Sequence, residues 1–285
     1  MAYVPGIDVS KWQGLIDWKT VFETQYYAFI KAAEGKNEDG WFKVNWAETK
    51  KIGMPRGAYY YFHPISSWEV QAQFFAQTIG GLAYDGELPP AVDVEVIEGV
   101  NKTTMMGNLY KFCKRVKELT GQDCVIYTRA SIWDIGIEAN DWAKQLLLWV
   151  ANYGVTNPLL PFSWLKTGKT WCWWQWTGKG QCLGVEGAVD QNWYNGDLTK
   201  FNNQFGTNLL PKGEEEVKHL LVTATSLKIR NAATQASTQD GLLVKGNQPE
   251  NLEQFVDVYG NTWCRIGWKQ WACKIFYGAV FMTDI

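Results

Sequence analysis

Residues 89–96 read PPAVDVEV, with the polar Ile97-Glu98-Gly99 immediately after them. The proline pair closes whatever precedes it, and valines then alternate with acids, the pattern of a strand with two unlike faces. Side chains two positions apart share a face, so Asp93 and Glu95 project together while Val92, Val94 and Val96 pack on the other side. At a rise of about 3.3 Å per residue their Cα atoms lie about 6.6 Å apart. Two carboxyls at such a separation can straddle a glycosidic bond, although side-chain rotamers leave inversion and retention equally open. Placing both on one buried face is costly unless one keeps its proton or donors satisfy both. Mutual repulsion that raises one pKa leaves a proton donor beside a charged partner. A solvated pair on an exposed sheet edge is the competing reading, and the alternate valines and the Pro-Pro turn weigh against it. A metal pair is disfavoured because the only histidines are His63 and His219 and no further ligand cluster is evident.

Outward from this strand, short β-rich runs alternate with amphipathic stretches. The runs are Pro5–Asp8, Tyr27–Ala33, Arg56–Phe62, Pro90–Val94, Cys124–Thr128, Leu146–Ala151, Trp171–Trp176 and about Ala188–Gln191. Helix-like segments lie between them at Trp41–Ile52, Ser67–Ile79, Lys102–Thr120 and near Asn140–Lys144. Ser67 and Asn101 stand where N-caps belong, and Gly121 where a helix stops. Strand-helix repetition predicts a parallel sheet with helices outside it, and eight strands fit a (β/α) barrel better than an open sheet. In such a barrel all strand C-termini meet at one mouth, where active sites form. Asp8, ending the first strand in GIDVSKWQG, and Asp190, ending the last in GAVDQNWY, are therefore expected to converge there with Asp93 and Glu95.

The chain has 285 residues, 46% of them hydrophobic and 20% charged, enough to bury a large domain plus something small. A net charge of −2 predicts no general attraction to nucleic acid or an anionic membrane. No apolar run is long enough for membrane insertion, and the start MAYVPGIDVS lacks the basic and apolar regions of a secretory signal. A chain of this kind acting outside a cell would then depend on lysis, a separate pore or an exporter. Seventeen Trp exceed what a core of this size needs and admit stacking on sugar rings. The six cysteines form three local pairs, Cys113/Cys124, Cys172/Cys182 and Cys264/Cys273. None has the C-x-x-C spacing of a zinc or redox site. Free thiols are the expectation, with Cys264/Cys273 the best disulfide candidate because a short hairpin could set them opposite each other.

Near Gly206 the pattern changes. TNLLPKGEEE, residues 207–216, combines Pro, Gly and three Glu and reads as a linker. Beyond it, Val217–Ile285 reads as short strands (LLVTA, SLKIRN, FVDVYG, TWCRIG, WACKIF and AVFMTDI) separated by polar turns, a small all-β barrel or sandwich.

GIDVSKWQG, FIKAAEG, RGAYYYF, AVDVEV, VIYTR, LLLWVANY, WWQWT and VDQNW, in that order over Tyr3–Phe205, resemble the glycoside hydrolase family 25 lysozymes of the Chalaropsis type. The resemblance implies an irregular (β/α) barrel over residues 1–206. It also implies an N-acetylmuramidase cutting the β-1,4 bond between N-acetylmuramic acid and N-acetylglucosamine, in a phage endolysin or a bacterial autolysin. By motif, Glu95 matches the proton donor and Asp93 the partner carboxylate, acting through the substrate's N-acetyl group, by charge stabilisation or as nucleophile. Asp8 and Asp190 match supporting acids at the mouth. Tyr59 or Tyr61, Tyr127 and Trp149 occupy matching strand positions, where substrate contact and core packing are both open. Tyr60-Tyr61 stand where many members have His-Phe. Lys31 and Glu34 flank the acids or form a local ion pair, and His63 follows a strand end. Acid-base glycoside hydrolysis needs only positioned carboxyls and water, so no cofactor is implied. A glycan-binding barrel without turnover and a glycosidase acting on another amino-sugar polymer are the competing readings. The tail resembles a bacterial SH3-like domain through SLKIRNAAT and TWCRIGWKQWACKIFYGAVFMTDI, with Asn231-Ala232-Ala233 replacing Ser-Gly-Pro. That resemblance implies cell-wall binding by residues 217–285; a structural cap is the alternative.

Overall fold

The computed structural model describes residues 3–136, 142–212, 220–234, 236–249, 251–257, 259–267, 270–276 and 279–284. Within it the chain divides into two compact units between Leu210 and Pro211.

Nine strands of the first unit share one sheet: β1 (Val4–Val9), β2 (Tyr27–Glu34), β3 (Asn37–Glu38), β4 (Arg56–Tyr61), β5 (Ala91–Val94), β6 (Val125–Thr128), β7 (Leu148–Ala151), β8 (Trp173–Gly180) and β9 (Val189–Tyr194). The order β1-β9-β8-β7-β6-β5-β4-β2 closes on itself because β1 also pairs with β2. All eight expected strands form this ring. The small β3 folds back on β2 as a hairpin outside it.

The ring is parallel except at β9, which runs antiparallel to both β8 and β1. This corrects the expectation that Asp190 ends the last strand: Asp190 begins it, and the reversed direction returns it to the mouth where the other strands finish. The gap between β8 and β9 is too short for a crossover helix, so the two join as a hairpin rather than a βα unit.

Outside the ring lie α1 (Trp18–Thr24), α2 (Phe42–Lys51), α3 (Trp68–Thr78), α4 (Lys102–Thr120), α5 (Ala130–Gly136), α6 (Phe162–Leu165) and α7 (Leu198–Phe205). Three of the four expected helices are present, and their caps are as read. Ser67 Oγ accepts from the Val70 amide, Asn101 Oδ1 accepts from the Thr104 amide, and Gly121 stops α4 in the left-handed region at φ 75°. Of the segment expected near Asn140–Lys144, Asn140 and Asp141 lie outside the described residues, and Ala143–Gln145 form a single 3₁₀ turn.

Period two divides the apolar side chains between two cores. On β2, Tyr27 and Phe29 face into the ring while Ala28, Ile30 and Ala32 face the helices. On β5, Ala91 faces in while Val92 and Val94 face out. Asp93 and Glu95 therefore continue the inward series above Ala91, with Glu95 just beyond the strand end. Below them the interior is plugged by rings: Phe29 stacks on Trp149 at 4.4 Å, and Trp173 on Phe205 at 5.2 Å. Much of the tryptophan excess is thus structural. Trp133, Trp149, Trp164, Trp173 and Trp263 are all fully buried.

The second unit is all β among its described residues. Strands Ser226–Arg230, Gln239–Val244, Glu253–Val256, Thr262–Gly267 and Gln270–Phe276 form one antiparallel sheet, and Leu220–Val222 pairs separately with Met282–Asp284. Gln239–Val244 was not expected as a strand because Gly241 interrupts its pattern. That glycine lies against Ile229, where an added Cβ would stand 3.2 Å from Ile229 Cδ1. All six cysteines are buried and none is in a disulfide. The hairpin does not set Cys264 opposite Cys273: Cys264 faces Ala272 and Cys273 faces Trp263, an offset of one that turns the two thiols to opposite faces.

Candidate active site

At the C-terminal mouth of the parallel strands a cavity of about 620 Å³ is lined by Asp8, Tyr59, Asp93, Glu95, Tyr127 and Trp149, with Asp190 from the start of β9. Seven of the eight residues expected at a site thus converge. Tyr61 does not join them. It sits at the rim, with the Lys31 ammonium 5.1 Å over its ring and His63 beside it. Tyr60, on the opposite strand face, is core: its hydroxyl donates to the Gly35 carbonyl.

The four acids have different surroundings. Asp8 is buried, and its Oδ2 accepts from Gln175 Nε2 at 2.9 Å and Asn192 Nδ2 at 2.8 Å. Burial, then the neighbouring Asp190, push its carboxyl well above the usual range despite those two donors. Asp190 is the Cα partner of Asp8 across β1 and β9. Burial and Glu95 push Asp190 up to about 6, against a hydrogen bond from Asp8 that holds it down. Both carboxyls are therefore held above the ordinary range, chiefly by burial.

Asp93 is also buried, and among the described residues its Oδ1 has no hydrogen-bond partner. Burial and the adjacent Glu95 push it well above the usual range, while Lys31 and Arg129 pull the other way. Glu95 is more accessible than Asp93. Its Oε1 receives Arg129 Nη2 at 2.9 Å, and the Tyr127 hydroxyl lies 3.4 Å away.

Gln175 and Asn192 are among the residues the sequence reading missed, with Arg129 and Tyr153 of the cavity lining. Gln175 Oε1 accepts from the hydroxyls of both Tyr127, at 2.8 Å, and Tyr153. Its amide orientation is thereby set, and Nε2 points at Asp8. Asn192 Oδ1 accepts from Trp149 Nε1 at 2.7 Å and likewise turns its amide nitrogen to Asp8. Trp149 is only 1% exposed, so it serves as cavity floor and hydrogen-bond donor more than as an open stacking face. A signal for both amides existed. They are the polar residues inside WWQWT and VDQNW, on strands whose alternate positions face the ring interior. Burial holds the phenols of Tyr59 and Tyr127 well above their ordinary value, so both stay neutral donors at neutral pH.

The cavity therefore offers a buried carboxyl with an unused oxygen, a second carboxyl open to solvent, and donors fixed by mutual hydrogen bonds. Among the described residues no group of three or more His, Cys, Asp or Glu side chains is placed to hold a metal ion. Two acids in unlike environments is the arrangement by which one fold runs acid and base chemistry together.

Comparison with known proteins agrees with this geometry. Residues 7–185 match the model of glycosyl hydrolases family 25, a span that includes Asp8, Asp93 and Glu95 and ends just before Asp190. Lysozyme M1 of Streptomyces globisporus is 38% identical over 208 residues, 69% of this chain and 69% of that protein. The solved bacterial lysozyme from Streptomyces coelicolor is 37% identical, with a TM-score of 0.65 over 70% of this chain and 95% of its own. The muramidase from Acremonium alcalophilum is 27% identical, with a TM-score of 0.63 over 72% of this chain and 100% of its own. With its barrel, its inward acids and its matched segment in agreement, the chain belongs to glycosyl hydrolase family 25.

Proposed function

We propose that this protein is a peptidoglycan hydrolase, an N-acetylmuramidase that cuts the β-1,4 bond between N-acetylmuramic acid and N-acetylglucosamine. The observation that carries the reading is the pairing of a solvent-facing Glu95 with a buried Asp93 whose Oδ1 is unsatisfied. Glu95, in its protonated form, donates to the glycosidic oxygen as the bond breaks, and its carboxylate then takes a proton from the attacking water. Asp93 receives the N–H of the acetamido group, which turns the acetamido oxygen toward the anomeric carbon and stabilises the charge that develops there. Asp8 ties the cavity wall together through Gln175 and Asn192, with Asp190 beside it across β1 and β9.

Digesting purified peptidoglycan and identifying the new reducing ends by mass spectrometry after borohydride reduction tests this reading. Reduced muramic acid ends are expected. Reduced glucosamine ends, or wall binding without release, would overturn it. Glu95→Gln should lower turnover by about 10²–10⁴-fold while wall binding persists.

The second unit is, on this reading, an SH3-like module that holds the enzyme on the wall, in the two-part layout of a lytic enzyme. Its separateness as a compact unit supports the division of labour. Removing residues 211–285 should leave the barrel folded and weaken wall association.

A further inference from the structure

Beside the catalytic cavity is a second recess of about 330 Å³, lined by Lys11, Lys31, Glu34, Glu38, Asp39 and His63 among others. It opens at the same end of the barrel. Lys11 follows β1, Lys31 and Glu34 finish β2, Glu38 and Asp39 form and follow β3, and His63 follows β4, with β1, β2 and β4 mutually parallel. Lys31 marks the boundary between the two. It continues the inward series of Tyr27 and Phe29, stands beside Tyr59 of the catalytic cavity in register, and acts electrostatically on Asp93.

The chemistry of this recess differs from that of the catalytic cavity. Besides its acids and two cations, Arg129 paired with Glu95 and Lys179, the cavity presents hydroxyls, amides and rings, groups suited to a neutral sugar. The recess presents ammonium and imidazole groups against three carboxylates, which gain little from sugar hydroxyls and much from a ligand carrying both signs of charge.

Not all of these charges are consumed internally. Asp39 accepts from the amides of Lys11 and Trp41, and Glu34 from Lys31 and His63, so these acids are structural. Lys11 is different. Its backbone makes the Asp39 contact, while its ammonium lies 5.1 Å over the exposed Trp12 ring and, among the described residues, makes no ion pair. Glu38 pairs with Lys43, whose side chain is 79% exposed, a contact that water competes with readily. The recess thus keeps one cation and one anion open to a ligand. Its volume is at the lower end of the range for small-molecule sites.

We infer that this recess seats the peptide substituent of the muramic unit, a short chain bearing free carboxylates and an amine, with Lys11 meeting a carboxylate and Glu38 the amine. The inference rests on the muramidase reading above. It makes the enzyme a reader of the peptide as well as of the glycan, so peptide-bearing chains should be cut in preference to bare ones.

The test compares kcat/KM on peptide-bearing glycan chains with that on the same chains stripped of peptide by an amidase. The wild-type protein should favour the peptide-bearing chains by about tenfold, the order expected of two partly exposed ion pairs. Lys11→Glu and Glu38→Lys should each bring the ratio close to one, chiefly through KM. Lys11 and Glu38 contribute to the fold mainly through their backbones, their side-chain contacts to Trp12 and Lys43 being exposed, so these variants should fold as the parent does. Equal rates on the two substrates by the wild type, or equal losses on both by the variants, would overturn the inference and leave the muramidase reading standing. Failure of the wild type to release muramic ends from either substrate would sink both.

Discussion

Asp8 and Asp190 face each other across the antiparallel seam between β1 and β9, and burial holds both carboxyls above the ordinary range. A pair of acids at the two ends of the barrel's sequence is brought to hydrogen-bonding distance because β9 enters the sheet in reverse. The arrangement costs stability and has measurable consequences.

Asp190 is held at about 6 against an ordinary 3.8. A carboxyl that binds its proton more tightly in the folded chain than in the unfolded one favours the fold at low pH. That advantage is lost as the pH climbs from its ordinary value through the raised one. The wild-type protein should therefore lose on the order of 2 kcal/mol between about pH 4 and pH 6 from this group. Urea unfolding at pH 4 and pH 7 should show a smaller loss in Asp190→Asn, together with greatly reduced hydrolysis. An unchanged loss in the variant would count against the raised Asp190 carboxyl.

His63 gives a pH dependence in a different window. Partial burial pulls it down, but Glu98 and Glu34, at 2.7 and 3.1 Å, outweigh that and leave it above its ordinary 6.5. Its stabilising contribution is complete below 6.5 and disappears as the pH rises through the higher folded value. The clamp holds Glu98, the only described non-glycine residue at positive φ, in the loop directly after Glu95. Melting temperatures taken from pH 6 to 9 should fall more in the wild type than in His63→Gln. Parallel curves would remove the clamp from the account.

Gln175→Leu should disconnect Asp8, Tyr127 and Tyr153 at once without changing the packing volume much. Buried donors and acceptors left without partners cost about 1–3 kcal/mol each. If that loss falls on the transition state, kcat drops by roughly tenfold to a hundredfold. Reducing-end assays on soluble glycan, with circular dichroism to verify the fold, would measure it. Wild-type turnover in the variant would show that the network is only structural.

Gly57 tests the aromatic plug. An added Cβ would stand 2.5 Å from Phe29 Cε1 and 3.0 Å from Leu88 Cβ, inside a filled interior. Gly57→Ala should destabilise the barrel by about 1–3 kcal/mol, read as a lower urea midpoint at constant slope. A midpoint equal to the wild type would mean that the Phe29–Trp149 stack can shift.

Much of this site could be read from period two alone. AVDVEV specifies which face Asp93 and Glu95 share, and the ends of GIDVS and GAVDQ mark where further acids stand. The direction of β9 could not be read, because a short strand looks alike in either direction and only the length of its connection limits the choice. Gln175 and Asn192 escaped for a related reason. An amide gains a role from what it orients, and the orienting partners, Tyr127 and Trp149, come from other strands. The aromatic count misled in part, since an indole that plugs a barrel and an indole that stacks on sugar have the same composition. Cys264 and Cys273 failed by one residue of register, which no spacing argument resolves.

The strand that supplies Asp190 is also the one that shuts the ring, and it is made last of the nine. A growing or clipped chain that stops before residue 189 has its Asp93–Glu95 pair on an open sheet, without the fourth acid and without Asn192 to steer Asp8. Such long-range pairing forms late in folding. Hydrolytic competence therefore waits on closure of the ring by β9 and not on the residues after the barrel, and an enzyme of this design is inert until its barrel is whole.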